Sequence, residues 1–471
     1  MTREFDLNIE RVLENWTLAH ALREVIANAL DEQALTTTRE PEIFQDAEGR
    51  WHVRDWGRGI RYEHLTQNEN QEKLAHPGKV VGKFGVGLKD ALATFDRHNI
   101  AVTIKTPHGD ITTGKQAKHG FADIQTLHAL ISDADDPGRT GTEFILHGAA
   151  LGEEQIKEAK ALFLRYAGDQ ELDATPFGSV LQPKDRQTRA RIYVNGLRVA
   201  EEDNFLFSYN ITSPTAALRR ALNRERSNVG RAAYTDRVKA ILLACDADQV
   251  IDALIADLQN YQRGSQRDET QWLDVGLHAC KQLNARSEVI FLTAFELVIA
   301  ADFVQRARDD GYEIIVVPET IRAKLPGLRD ALGNPMRDLE RYRGEWQDSF
   351  RFTFVDPADL SDAECRVWDE LPAIFNARGG RPHRVRDVLI SETMRLMQGR
   401  YQEAVGLWEE AEGQIIIKRA QLSSLAAFAG TVLHELSHAL SHAPDISLEF
   451  EQALTEEIGR IAARHIEGTR Y

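Results

Sequence analysis

The sequence predicts an α/β multidomain protein, and three observations carry that expectation. Its 471 residues, 42% of them hydrophobic, give a prior of about three domains with real cores. Short β-rich runs are interspersed with helical periodicity: Ile192-Tyr193-Val194, Val289-Ile290-Phe291-Leu292, Ile314-Ile315-Val316-Val317 and Ile415-Ile416-Ile417 are the clearest strands. Finally, two sets of ligand-type residues stand at opposite ends of the chain, so at least two separately folded sites are expected. The expected domains are 1–150, 151–265, 266–350 and 351–471.

Bulk properties exclude several classes. A net charge of −16 disfavours a general nucleic-acid or anionic-membrane coat, though not a local basic groove. Cys245, Cys280 and Cys365 are far apart, so neither a disulfide framework nor a cysteine zinc site is indicated, and a reducing cytoplasm is favoured. The first residues lack the apolar stretch of a signal peptide. No uncharged run reaches the roughly 18 residues of a membrane span.

The first element is a helix over residues 9 to about 34. Ile9, Leu13, Trp16, Leu22, Ile26 and Ala29 recur at three- and four-residue steps. Glu24, Asn28 and Asp31 fall within about 60° of one another on the other side. Such a stripe reads either as a solvated face or as a magnesium and water site, with a hard amide oxygen for the metal and a carboxylate for the water. Trp51 and Val53 then alternate as in a strand that delivers Asp55 to the turn Asp55-Trp56-Gly57-Arg58-Gly59. An aspartate there accepts a hydrogen bond from an exocyclic amine. Gly82-Lys83-Phe84-Gly85-Val86-Gly87 opens a further helix from Leu88 to about Phe95. Backbone amides at a helix start attract phosphate, and Lys89 adds positive charge in the first turn.

In this order the pieces resemble the GHKL ATPase superfamily, which includes the ninety-kilodalton heat-shock chaperone, type II topoisomerases, MutL, histidine kinases and MORC proteins. The matching residues are Glu24, Asn28, Asp31, Asp55, Gly57, Gly59, Ile60, Gly82, Phe84, Gly85, Gly87, Leu88, Lys89 and Gly141-Thr142, over roughly residues 5 to 150. The resemblance implies a Bergerat-type α/β sandwich with a mixed sheet under the helices, binding ATP with Mg²⁺. It implies Glu24 as general base, Asn28 as the Mg²⁺ ligand, Asp55 as adenine reader and Thr142 as support for the water network beside the adenine. Residues 61–81, with Lys73 and Lys79, fall where the family has a mobile lid. An ATP-dependent homodimer follows from the same resemblance.

The middle of the chain contains a strand and turn at Ile192-Tyr193-Val194-Asn195-Gly196 and an arginine cluster, Arg219, Arg220, Arg224, Arg226 and Arg231. The cluster reads as a salt-bridged helix face, a nucleic-acid groove or an ATP sensor. By weaker resemblance the segment 151–265 is a transducer-like domain, and Arg224 or Arg226 would reach the γ-phosphate, since a guanidinium pairs bidentately with phosphate. Beyond it, strand, helix and strand between Val289 and Val317 suggest a βαβ unit with a parallel sheet.

Residues 421 to 441 read as a buried helix carrying His434-Glu435-Leu436-Ser437-His438. Histidines four apart project from one face, which lets two nitrogens reach one Zn²⁺, and the adjoining glutamate can deprotonate water. This segment resembles zincin metallopeptidases over about residues 385 to 467. There an edge strand aligns the peptide substrate, and Gly413 to Lys418 is the candidate. A third protein donor is needed. His442 lies too far along the helix to join both histidines, and Ser441 and Pro444 stand where a longer signature would have Gly and His. The expected ligand is Glu451, with Glu449 second, on the helix that follows.

The function expected from the sequence is ATP binding and hydrolysis whose nucleotide-driven dimerisation controls a C-terminal zinc metallopeptidase acting on a protein or peptide. The rivals are a non-proteolytic ATP-dependent chaperone or MORC-like DNA clamp with a structural metal, and a nucleic-acid-triggered protease of genome defence.

Overall fold

The computed structural model describes residues 3–7, 16–66, 80, 86–118, 121–184, 189–222, 229–397 and 400–468. It is a mixed α/β multidomain chain. Its contacts divide it into two compact units, Met1–Ala279 and Cys280–Tyr471. The division falls inside a helix, Leu273–Arg286, and not at the expected boundary after residue 265. One sheet nevertheless falls within each of the four intervals read from the sequence.

The first unit opens with a seven-stranded sheet, in the order β1-β6-β5-β4-β7-β3-β2. Its strands are β1 (Arg3–Asp6), β2 (Glu42–Gln45), β3 (Trp51–Arg54), β4 (Ala101–Thr106), β5 (Gly109–Lys118), β6 (Phe121–Ser132) and β7 (Glu143–His147). Every pairing is antiparallel. The mixed sheet expected from the resemblance is therefore corrected. Only Pro107 and His108 separate β4 from β5, and a two-residue connection permits only an antiparallel hairpin.

Helix α1 spans Leu18–Thr36 and packs on α2 (Val86–Arg97) and on β3. It starts later than its apolar periodicity suggests. Thr17 is extended, and its N–H donates to His20 Nδ1 at 3.1 Å, which satisfies one of the free amides at the helix start. Residues 8–15 lie outside the described part. Leu22, Val25, Ile26 and Ala29 are buried, and so are Glu24 and Asp31. The polar stripe is thus an interior feature and not a solvated face.

A second, five-stranded sheet follows: β8 (Gln170–Thr175), β9 (Gly178–Gln182), β10 (Ala190–Val194), β11 (Leu197–Glu202) and β12 (Ser208–Ile211). Its order is β11-β10-β12-β9-β8, with only β10 and β12 parallel. Helices α3 (Thr235–Leu243) and α4 (Asp248–Gln259) cover it.

The second unit begins with the parallel pair β13 (Val289–Leu292) and β14 (Glu313–Val316), joined through α5 (Ala301–Asp309). After α6 (Leu339–Ser349) comes a four-stranded sheet of β15 (Phe354–Val355), β16 (Asp387–Ser391), β17 (Gly406–Glu409) and β18 (Gln414–Lys418), ordered β15-β16-β18-β17. The strand chosen from sequence as the substrate edge, β18, is interior. Ile415, Ile416 and Ile417 are all buried, as two-sided packing requires, and the edges are β15 and β17. Helix α8 (Leu425–Ser441) lies on this sheet and shares a core with it through Phe428, Val432 and Leu436. Helix α9 (Leu448–Gly468) packs on α8 and on α7 (Leu371–Arg378). A buried bidentate pair, Arg378 to Glu457 at 2.6 and 3.0 Å, locks α7 to α9.

Candidate metal centre and nucleotide loop

Helix α8 is capped by Ser424, whose hydroxyl accepts from Ala427 N at 3.2 Å. It ends at His442, in left-handed conformation with φ 53°. The turn after it folds back over the helix, braced by Ser447 Oγ donating to Pro444 O at 2.7 Å. Ile446 has φ 60°, which costs a β-branched residue energy. This strained turn sets Asp445 Oδ1 3.1 Å from His434 Nε2 and 3.2 Å from His438 Nε2. The three residues form the one group of potential metal donors found among the described residues.

The third potential donor in this group is Asp445. Glu451 and Glu449 are exposed on α9 and are not part of the group. At the start of α9 it is Phe450, between these two glutamates, that packs on the histidines, whereas the Ala443-Pro444-Asp445 break carries its own carboxylate back across them. That break was legible in the sequence as a helix stop, and its aspartate was the missed signal. His442 turns away, with Nδ1 2.7 Å from Glu410 Oε1.

The donor set fits a zinc-type ion. Tetrahedral ligands at about 2.0–2.1 Å from zinc stand roughly 3.3 Å apart, close to the two Asp445 contacts. His438 Nδ1 lies 2.8 Å from the carbonyl oxygen of Ala443. A carbonyl only accepts, so Nδ1 carries hydrogen and the neutral ring turns a lone pair toward Asp445 Oδ1. Two acceptors face to face need a cation or a second ring proton between them. Burial lowers the pKa of His434, with Asp445 opposing and His438 reinforcing that shift, which favours the ligand form. Phe450 packs on both imidazoles, its centroid 4.9 Å from His434 and 4.2 Å from His438. His434 and Asp445 keep 40% and 64% side-chain exposure, so the group opens to solvent.

Glu435 faces the sheet. Burial, helped by the charge of Asp445, raises its carboxyl to about 8, against a hydrogen bond from the Trp408 amide. Gly406 on β17 sits directly on it: a Cβ there would lie 2.6 Å from Glu435 Oε1. The edge strand and the buried carboxylate thus share one wall of the centre.

In the first unit, Asp55 is buried behind its loop. Oδ1 accepts from Gly57 N at 2.9 Å and from Thr142 N at 3.2 Å, and Thr142 Oγ1 accepts from Ile60 N at 3.0 Å. Burial outweighs these amides and raises Asp55 to about 6. Gly141 adopts φ 79°, and a Cβ there would lie 2.0 Å from Asp55 O, so no side chain is tolerated. Gly57 and Gly59 belong to this loop, and the guanidinium groups of Arg39 and Arg54 lie over the Trp56 ring, 3.2 and 3.8 Å from its centre.

Glu24 Oε1 accepts from Arg23 Nε at 3.0 Å and Nη2 at 2.8 Å. Its other oxygen lies 2.1 Å from where a Cβ on Gly87 would be, which places the carboxylate against the first turn of α2. Asn28 and Asp31 follow on α1, and Lys89 is half-buried on α2. Sequence reasoning missed Glu32, whose carboxylate receives Arg58 N and Nε at 2.8 and 2.9 Å. Gly82, Phe84, Gly85, Lys73, Lys79, Arg224 and Arg226 lie outside the described residues.

Fold and site define a multidomain α/β chain with an exposed His/His/Asp group in its second unit. No described helix is long and apolar enough to cross a membrane. Residues 154–248, which contain the five-stranded sheet, match the family model described as Mycoplasma pneumoniae MPN635 N-terminal domain. Two Mycoplasma pneumoniae proteins, both described as "Uncharacterized protein", are similar to the chain. One is 35% identical over 245 residues, covering 51% of this chain and 96% of the relative. The other is 24% identical over 351 residues, covering 69% and 96%. The chain belongs to the family of the first of these Mycoplasma pneumoniae proteins.

Proposed function

We propose that this protein is a metal-dependent peptidase whose first unit is a GHKL-type ATP-binding module. The observation that carries the peptidase reading is the convergence of His434 Nε2, His438 Nε2 and Asp445 Oδ1 beside buried Glu435. Zn²⁺ held by these three groups supplies Lewis-acid chemistry at neutral pH. Three protein donors would hold the ion with room left for water, as hydrolytic sites have and structural sites do not. The burial and the Asp445 charge that keep Glu435 protonated would be offset by a cation bound beside it, and the ionised carboxylate would take the proton of the attacking water and deliver it to the leaving amine. An extended peptide lies along the free edge of β17, adding a strand to the sheet. The zincin fold is part of this proposal.

The nucleotide reading rests on the Asp55–Thr142 loop and on Glu24 of α1, which lies against the first turn of α2. Asp55 accepts from the exocyclic amine of adenine, Asn28 offers its amide oxygen to Mg²⁺, and Glu24 activates water for ATP hydrolysis. ATP-dependent pairing of two copies then controls the peptidase, provided ATP binds the two states with different affinity.

The test is one purified sample assayed for zinc, ATP turnover and cleavage of an unfolded protein substrate. Glu435→Gln abolishes cleavage while zinc content and ATP turnover stay near wild type. Glu24→Ala binds ATP without turnover. Cleavage that survives Glu435→Gln refutes the peptidase mechanism. Zinc and ATP turnover with no cleavage of any protein leave the non-proteolytic clamp in its place.

A further inference from the structure

A row of aromatic rings along residues 346–354 takes no part in the metal chemistry. Trp346 near the end of α6, then Phe350, Phe352 and Phe354, follow one another at centroid distances of 5.1, 5.0 and 5.5 Å. The inner end is anchored by buried Phe303, edge-on to Trp346 at 6.1 Å. At the outer end Phe354 is 52% exposed. One exposed phenylalanine is ordinary, but a connected row leading to the surface marks a binding face.

The segment that carries the rings is held rigid. Thr353 O accepts from Glu392 N at 2.9 Å and Ser391 Oγ at 3.1 Å, and Thr353 N donates to Thr393 Oγ1 at 3.0 Å. Thr393 Oγ1 in turn donates to Arg351 O at 3.1 Å. Phe352 and Phe354 are two residues apart on this extended chain, with ring planes within 22°. Side chains at i and i+2 of an extended strand share a face about 6.6 Å apart, a spacing that a stretched single strand of nucleotides can follow base by base.

Charge selects the occupant. Arg395 lies over Phe352, 5.6 Å from its centre, and Arg351 donates to its neighbour's carbonyl, Phe350 O, at 2.8 Å. Among the described residues neither has a carboxylate partner. The arginines nearer the core are matched: Arg341 with Glu345 and Arg343 with Glu340, both at 2.8 Å. Glu392 beside the segment is taken up by Arg419 at 2.6 Å; exposed Asp348 precedes the row, and exposed Asp356, which follows it, caps the next turn by accepting from Ala358 N at 2.9 Å. An apolar protein surface would cover the rings but strand two desolvated guanidinium groups. Aromatic faces beside unmatched arginines fit bases and phosphates.

We infer that this aromatic row is a single-stranded nucleic-acid site, with bases stacked on Phe352 and Phe354 and phosphates on Arg351 and Arg395. Paired bases cannot stack on side chains without leaving the helix, so duplexes are excluded. The site does not depend on the peptidase reading and would stand if that reading failed.

The experiment measures fluorescence anisotropy of labelled oligo-dT and oligo-rU of about twelve nucleotides, and of a duplex of equal length, with the full chain. Both single strands bind in preference to the duplex; a preference for rU over dT marks RNA as the natural ligand. Phe354→Ala weakens binding by roughly 5- to 100-fold, as loss of one stacked base does. Arg351→Ala with Arg395→Ala lowers the slope of log affinity against log salt by about 1.4, at roughly 0.7 per phosphate contact on a single strand. Phe295→Ala, at an exposed ring outside the row, leaves binding unchanged and controls for general surface effects. Circular dichroism confirms that each variant is folded. Absence of binding at low salt overturns the inference, as does binding indifferent to both the ring and the arginine changes. Self-association of the wild type that Phe354→Ala abolishes, without oligonucleotide binding, assigns the row to contact between copies and overturns it equally.

Discussion

Replacing Gly406 by Ala probes the wall shared by the edge strand and Glu435. A Cβ at this position would lie 2.6 Å from Glu435 Oε1, 2.6 Å from Thr431 Cγ2 and 2.8 Å from Glu435 Cγ. Ordinary contact between carbon atoms is about 3.5–4.0 Å, so the neighbours must yield by about 1 Å. Glu435 and Thr431 are both buried, and neither can swing into open solvent. Overpacking of this kind costs about 1–3 kcal/mol. A displacement of about 1 Å in a catalytic group costs on the order of 100-fold in rate. The histidines and Asp445 stand apart from this wall, so zinc is retained. The assay is therefore threefold: urea denaturation, zinc content by elemental analysis, and initial rates of protein cleavage. The expected result is lowered stability, unchanged zinc and cleavage reduced on the order of 100-fold. A Gly406→Ala protein as stable and as active as wild type refutes the placement of Glu435 against β17, and with it the role of that carboxylate as base.

Further perturbations address the other features. Asp445→Ala leaves two protein donors and lowers zinc affinity by more than the roughly 10- to 100-fold that loss of an outer partner costs; a competition titration with a chelating dye reads it, and unchanged affinity returns the third ligand to the search. Gly141→Ala clashes with Asp55 O in a backbone conformation that disfavours side chains; ATP affinity measured by calorimetry falls together with thermal stability. Burial holds the Glu269 carboxyl at about 8, against an ordinary 4.5, so the folded chain keeps a proton that the unfolded chain releases. Stability from this group is full below about 4.5 and is lost as pH rises toward about 8. Urea midpoints should fall across that window, and Glu269→Gln should flatten the decline; an unchanged slope refutes it.

Much of the local architecture was legible in the chain. The βαβ pattern between Val289 and Val316 shows in its apolar runs, because buried parallel strands need them. The helix bearing His434 and His438 announces itself by periodicity and spacing. The stripe on α1 was visible but not its burial, since a polar face reads the same whether water or a loop covers it; here Glu24 meets Gly87 and Glu32 meets Arg58. Candidate ligands for the histidines were sought on the following helix, whereas the strained turn before that helix supplies Asp445.

The sequence by itself determined the helices that carry Glu24 and His434, the strands at Ile192, Val289, Ile314 and Ile415, and a first set of side chains that could serve as base, ligand or phosphate partner. Periodicity and residue chemistry are local, and each is written within a few turns of chain. Tertiary structure alone decided that β18 is interior with β17 at one edge of its sheet, that the described strands of the first sheet all pair antiparallel, and that Asp445 joins His434 and His438 in one group of potential donors. Those outcomes depend on where the chain returns after each turn, and a change of one residue in such a path exchanges one neighbour for another while leaving the local pattern intact.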